Sequence, residues 1–201
     1  MFILAGSMAY GETVWTIAPG RSSIGFKVKH MVFSEVQGKF NRIEGSVVTL
    51  REDLDNARME AVIPVASIYT GIRDRDQHLH SEDFFHVNAY PNITFRSTAV
   101  LKLPEKDRYK IIGDLTIRGV TRMVELTAII KEKKVLSDGK VRMDFVANGQ
   151  VNRYDFGLRW NEILETGGAL VSDTVEINLN IALLNEGQEG VRQQLVSADS
   201  Y

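Results

Sequence analysis

The 201-residue chain contains no cysteine. That excludes disulfides, thiolate catalysis and cysteine-ligated zinc. It leaves the compartment open, because an oxidising space permits disulfides without requiring them. No run of five basic residues occurs, and 24 Lys+Arg against 26 Asp+Glu give a formal net charge of -2. Nothing in that balance favours nucleic acid as a partner. No apolar stretch approaches the roughly 20 residues that a spanning helix needs. Catalytic signatures are also missing: there is no GxSxG elbow, glycine-rich phosphate loop, dinucleotide fingerprint or HExxH. With no repeat, low-complexity segment or linker, one domain is expected. The expectation is a binding protein rather than an enzyme, with no metal and no cofactor.

The two ends of the chain differ from its middle. Residues 1–12 open with the apolar run Met1–Gly6, followed by Ser7-Met8-Ala9. This resembles the end of a secretory signal peptide with cleavage near Ala9, although no Lys or Arg precedes Arg21. The alternative is an irregular N-terminal arm. Residues 186–201 are polar and aperiodic, as in a frayed tail.

Between them, over residues 13–185, apolar and polar residues alternate with period two. Ile24, Phe26, Val28 and His30 alternate with Gly25, Lys27 and Lys29. Similar ladders run through Ile93–Ala99, Ile111–Ile117, Met143–Val151 and Val175–Leu183. One apolar and one polar face is the mark of antiparallel strands. Turn signals fall between the ladders at Ala18-Pro19-Gly20, Arg118-Gly119, Ser137-Asp138-Gly139 and Asn185-Glu186-Gly187. Pro64 implies an edge or a bulge. At least seven strands with regular turns predict an all-β sandwich or barrel.

Ile72–Val87 breaks the pattern. It is charged and histidine-rich, Asp74–Leu79 suits a helical turn or two, and Ser81 before Glu82-Asp83 suits a helix N-cap. Phe84 and Phe85 follow, so this short helical segment near 72–87 is expected to lie as a lid across one end of the barrel. His78 and His80, two apart, would sit on different helical faces and could not share an ion there.

The inward faces carry the candidate binding residues: Phe26, Val28, Phe40, Ile63, Phe95, Leu115, Ile117, Phe145 and Phe156, with Phe84 and Phe85 from the lid. A barrel of about eight strands is either filled by side chains or holds one ligand. Small inward residues (Ser97, Gly113, Ala128, Ala147, Gly149) would leave room. His30, in phase with the apolar face, is either a hydrogen-bonded core residue or a polar contact for a ligand head group. Arg153, in Arg153-Tyr154-Asp155, is either a rim salt bridge or a contact to an anionic head.

Longer segments resemble the YceI family of periplasmic or secreted polyisoprenoid-binding proteins. They are Trp15–Phe26, Val28-Lys29-His30, Val36–Phe40, Arg75–Leu79, Ser81–Phe85, Tyr90–Thr98, Gly113–Arg122 and Asn152–Gly157, together spanning about residues 14–184. The family commonly carries an acidic residue and a histidine where this chain has Ala18 and Arg21. The resemblance implies a lipocalin-like antiparallel barrel of about eight strands with an apolar tunnel. It implies a polyisoprenoid or isoprenoid quinone as ligand and export to the periplasm or beyond. Such a lipid would come from a membrane, so transient membrane contact is expected, with homodimerisation left open. Two rival readings are an enzyme on an isoprenoid-like substrate with His30 as acid–base, and an interaction module with a packed core.

Overall fold

The computed structural model describes residues 11–30, 34–50, 53–161 and 171–185. The alternating ladders form strands β1 (Thr13–Ile17), β2 (Ser23–His30), β3 (Ser34–Phe40), β4 (Glu44–Thr49), β5 (Arg58–Pro64), β6 (Ile68–Tyr69), β7 (Asn92–Lys102), β8 (Arg108–Ile117), β9 (Val120–Val135), β10 (Val141–Asn152) and β11 (Val171–Asn185). The first six are three long staves, each broken once. A 3₁₀ turn at Pro19–Arg21 parts β1 from β2, residues 41–43 part β3 from β4, and a 3₁₀ turn at Val65–Ser67 parts β5 from β6. The halves stay in line, since β1 pairs with β4 while β2 pairs with β3. Pro64 is the last residue of β5 and begins the third break.

Each stave pairs antiparallel with its sequence neighbour, and the last returns to the first. β11 pairs with β2 at Ile177↔Phe26 and with β1 at Leu183↔Ile17. Across the kink the seam is stitched by Ala18 N donating to Ala182 O (2.8 Å) and Ala182 N donating to Ser22 Oγ (3.1 Å). The result is a closed, lipocalin-like antiparallel barrel of eight staves. Closure suits chains whose strands expose polar residues on one face only.

The turns follow their residues. Arg118 and Gly119, at φ 51° and 72°, make a two-residue hairpin between Ile117 and Val120. Gly139, at φ 82°, turns the β9–β10 hairpin. The one α-helix among the described residues, α1 (Arg73–His80), has no side-chain N-cap. Its polar residues tie it back to the barrel instead. Thr70 N donates to Asp76 Oδ1 (2.9 Å), and Arg75 Nε donates to Thr70 Oγ1 (2.8 Å). Ser81 caps the opposite end from the one expected. It follows the last helical residue, and its Oγ donates to His78 O (2.7 Å), so no helix starts there. The terminal segments 1–10 and 186–201, where a leader and a tail are expected, lie outside the described residues.

Candidate functional site

Inward residues on α1's side of the barrel do not meet across the bore. They leave an apolar cavity that is open at its mouth. Phe26 and Val28 of β2, Phe40 of β3, Ile63 of β5, Phe95 of β7, Leu115 and Ile117 of β8 and Phe145 of β10 line it. Phe84 and Phe85 reach it from the segment after α1, and Arg153 and Phe156 from the 3₁₀ turn after β10. His30 contributes its backbone to β2, opposite Val171 and Ser34, while its side chain lies outside the described residues.

Sequence reading missed several wall residues. Ile177, Leu179 and Ile181 belong to the β11 ladder, whose alternation was visible and could have nominated them. Leu79 and Leu158 sit in aperiodic segments and gave no signal.

The small residues do not make the room. None of Ser97, Gly113, Ala128, Ala147 or Gly149 borders the cavity. A Cβ on Gly113 would lie 2.5 Å from Arg96 O and 2.5 Å from the Phe95 ring, and one on Gly149 would lie 2.7 Å from Glu125 O. Ser97 Oγ instead accepts from Met59 N (2.8 Å) beside the β7 bulge. A Cβ on Gly38 would meet the Phe26 ring at 2.3 Å. Glycine lets a neighbouring ring lie flat on the wall, and the flattened ring keeps the bore open.

The other end is filled. The lining stops one inward step short of it on stave after stave: at Ile17 before Trp15, Ile111 before Tyr109, Phe145 before Met143, and Ile181 before Leu183. Leu54, from the β4–β5 loop, is fully buried there. Trp15 Nε1 donates to Thr49 Oγ1 (3.1 Å), so these two buried polar groups of the layer are paired.

Two aromatic groups hold α1 and the segment after it, one against β2 and β3 and one against Trp160. Phe40 stands 5.9 Å from Phe26 and 6.0 Å edge-on from Phe85. Further out, His78 packs edge-on against Phe84 (5.0 Å) and Trp160 (4.9 Å), and its Nε2 lies 3.2 Å from Asp83 Oδ2. Such contacts are each worth roughly 0.5–1.5 kcal/mol beyond area burial. His86 Nε2 lies 3.5 Å from Glu82 Oε1. Among the described residues no three His, Asp or Glu side chains converge on a metal position.

Arg153 is 4% exposed. Its Nε donates to Ser172 O (2.8 Å), Nη1 to Leu158 O (2.6 Å) and Trp160 O (2.8 Å), and Nη2 to Val171 O (3.1 Å) and Tyr154 Oη (3.5 Å). Burial pushes its pKa down, yet guanidinium stays charged in proteins. All five N–H groups are engaged, by four carbonyls and the Tyr154 hydroxyl, so of the two readings the fork makes neither a rim salt bridge nor a free contact for an anionic head. It acts as a clamp binding residues 158–160 to the start of β11. The other charged wall residue, Glu60, pairs with Arg96 on the barrel surface (3.3 Å). The rest of the described lining is apolar or glycine, so the chemistry offered is enclosure of an apolar chain.

A family model described as the YceI-like domain matches residues 15–183. A UPF0312 protein of Staphylococcus aureus (strain N315) is 32% identical over 168 residues, covering 82% of this chain and 93% of that one. Among solved structures, a YceI protein of Campylobacter jejuni matches with a TM-score of 0.62 and 29% identity, over 80% of this chain and 90% of that one. A polyisoprenoid binding domain from Saccharophagus degradans, implicated in plant cell wall breakdown, matches with a TM-score of 0.64 over 85% and 98%. At 16% identity this last likeness is one of fold.

Proposed function

We propose, from the premise that the chain belongs to the YceI-like domain family, that its cavity encloses the apolar chain of an isoprenoid lipid, which the protein carries or stores unchanged. The observation that carries this reading is the lining: an apolar bore, closed at one end, in which the two charged side chains among the described residues are already paired. The Saccharophagus degradans neighbour, named as polyisoprenoid-binding, supports it.

The energetics suit a carrier. Enclosing a chain is worth about 0.8 kcal/mol per CH₂ relative to water. For about forty carbons that exceeds the roughly 20 kcal/mol ceiling on observed affinities, so ordering the chain must offset much of it. The lipid leaves a membrane rather than water, so only the difference between two apolar surroundings counts. Loading and release during transient membrane contact are then both feasible. Because the described lining offers no free donor, the polar end, a phosphate or a quinone ring, stays at the mouth. In this reading the protein works in the periplasm or outside the cell.

Native mass spectrometry of protein purified from an exporting host, with organic extraction, tests this. One isoprenoid per chain is expected. A bare protein that also takes up no quinone or polyprenyl phosphate from vesicles would overturn it. Conversion of the bound lipid, lost in His30→Ala, would replace carriage with catalysis. Phe95→Asp should remove lipid retention, since an ionised carboxylate would face the bore unpaired.

A further inference from the structure

We infer that Tyr109, backed by Leu54, is the stop that limits how long an apolar chain the cavity encloses, and that the chain enters tail first from the lid end. This rests on the lipid-carrier reading above.

Among the described residues Tyr109 is the largest fully buried side chain, and Ile111, the next inward residue on β8, is where the lining ends. The Tyr109 hydroxyl bonds to the backbone of Leu54. The loop carrying Leu54 is pinned in turn, with Asn56 N donating to Val100 O (2.9 Å) and Lys102 N donating to Asp55 Oδ1 (3.1 Å). The floor is therefore a braced layer rather than a loose flap. Its described side-chain polar groups, on Trp15, Thr49 and Tyr109, already have partners, so they offer a head group nothing, and the apolar tail must be the end that reaches it.

The depth follows from the strand. Ile111 to Ile117 spans six residue steps, about 20 Å at ~3.3 Å each. Tilted by about 40°, that is roughly 15 Å along the barrel axis. One leaflet of a bilayer contributes about half of its ~30 Å hydrocarbon core, so the bore is about one leaflet deep. A longer chain must fold back on itself or protrude at the mouth.

The test uses delipidated full-length protein and a series of all-trans prenyl alcohols of increasing length, each competing with a fluorescent alkyl probe. Affinity should climb by up to about four-fold per enclosed carbon and then level off. Tyr109→Ala should move the levelling point to longer alcohols. Ile111→Phe should move it to shorter ones by about one isoprene unit. The second variant adds volume to empty space and leaves the packed layer intact, so it decides the matter if Tyr109→Ala does not fold. A levelling point unmoved in Ile111→Phe overturns the stop while leaving the carrier reading standing. A wild type that binds none of the alcohols overturns both.

Discussion

The two halves of the barrel are cut from the same strands with the same alternation, yet one is solid and the other hollow. Beyond Tyr109 and Met143 the bore is plugged by a residue from outside the sheet, Leu54, and the buried polar groups of Trp15 and Thr49 are paired there. Above Ile111 and Phe145 the described inward side chains leave the bore unfilled, and rings such as Phe26 and Phe95 lie flat over Gly38 and Gly113. Alternation decides which side chains face inward. Whether they fill the interior depends on what lies opposite and on whether a loop is folded in.

The sharpest test of this contrast is truncation in each half. Met143→Ala removes atoms packed on all sides and should cost about 3 kcal/mol, or roughly 6–12 °C in Tm. Leu179→Ala removes atoms that already border empty space and should cost only about 1 kcal/mol. Equal losses by thermal denaturation of lipid-free protein would break the distinction. Next in size, Arg153→Lys should cost roughly 2–3 kcal/mol, because an ammonium cannot serve the carbonyls of Leu158, Trp160, Val171 and Ser172 together. Amide exchange should rise at the start of β11; unchanged protection there would remove the clamp.

Gly38→Ala should shift stability by about 1–2 kcal/mol at most, because the atoms it meets are the free end of the Phe26 ring. The displaced ring must swing into the bore, so lipid capacity should fall. Retained capacity would mean that the ring does not hold the space open.

The smallest effect is alkaline. Burial raises the Tyr109 pKa above its ordinary value near 10. Below pH 10 both folded and unfolded chains keep this proton, and the group adds no pH dependence. Above it the unfolded chain ionises first, so stability falls as pH rises. The exposed Lys102, raised chiefly by its hydrogen bond to Asp53, acts in the same direction. Tyr109→Phe should flatten the Tm profile above pH 10, and an unaltered slope would assign it to other groups.

The barrel was legible because each ladder, such as Ile24-Phe26-Val28, declares its two faces, and because Arg118-Gly119 can make a tight hairpin. Most of the cavity wall followed from the same phase. What was illegible depends on groups a residue pattern does not display. The clamp role of Arg153 lies in backbone carbonyls brought from residues 158–172. Leu54 sits in a loop without periodicity, so nothing marked it as a plug. Ser81 beside two acidic residues suits a helix start as well as a helix end. Gly113 reads as a gap, yet the structure gives its missing side chain's place to Phe95.

The seam between the first stave and β11 also governs assembly. Val175↔Val28 and Leu183↔Ile17 join residues nearly a whole barrel apart in sequence. Contacts of that separation slow folding, and during synthesis the first stave must wait for the last with one flank unpaired. That waiting edge is where two nascent copies would pair wrongly. Lys27 and Lys29 alternate with the apolar residues along it, and their like charges would repel a second copy until β11 arrives.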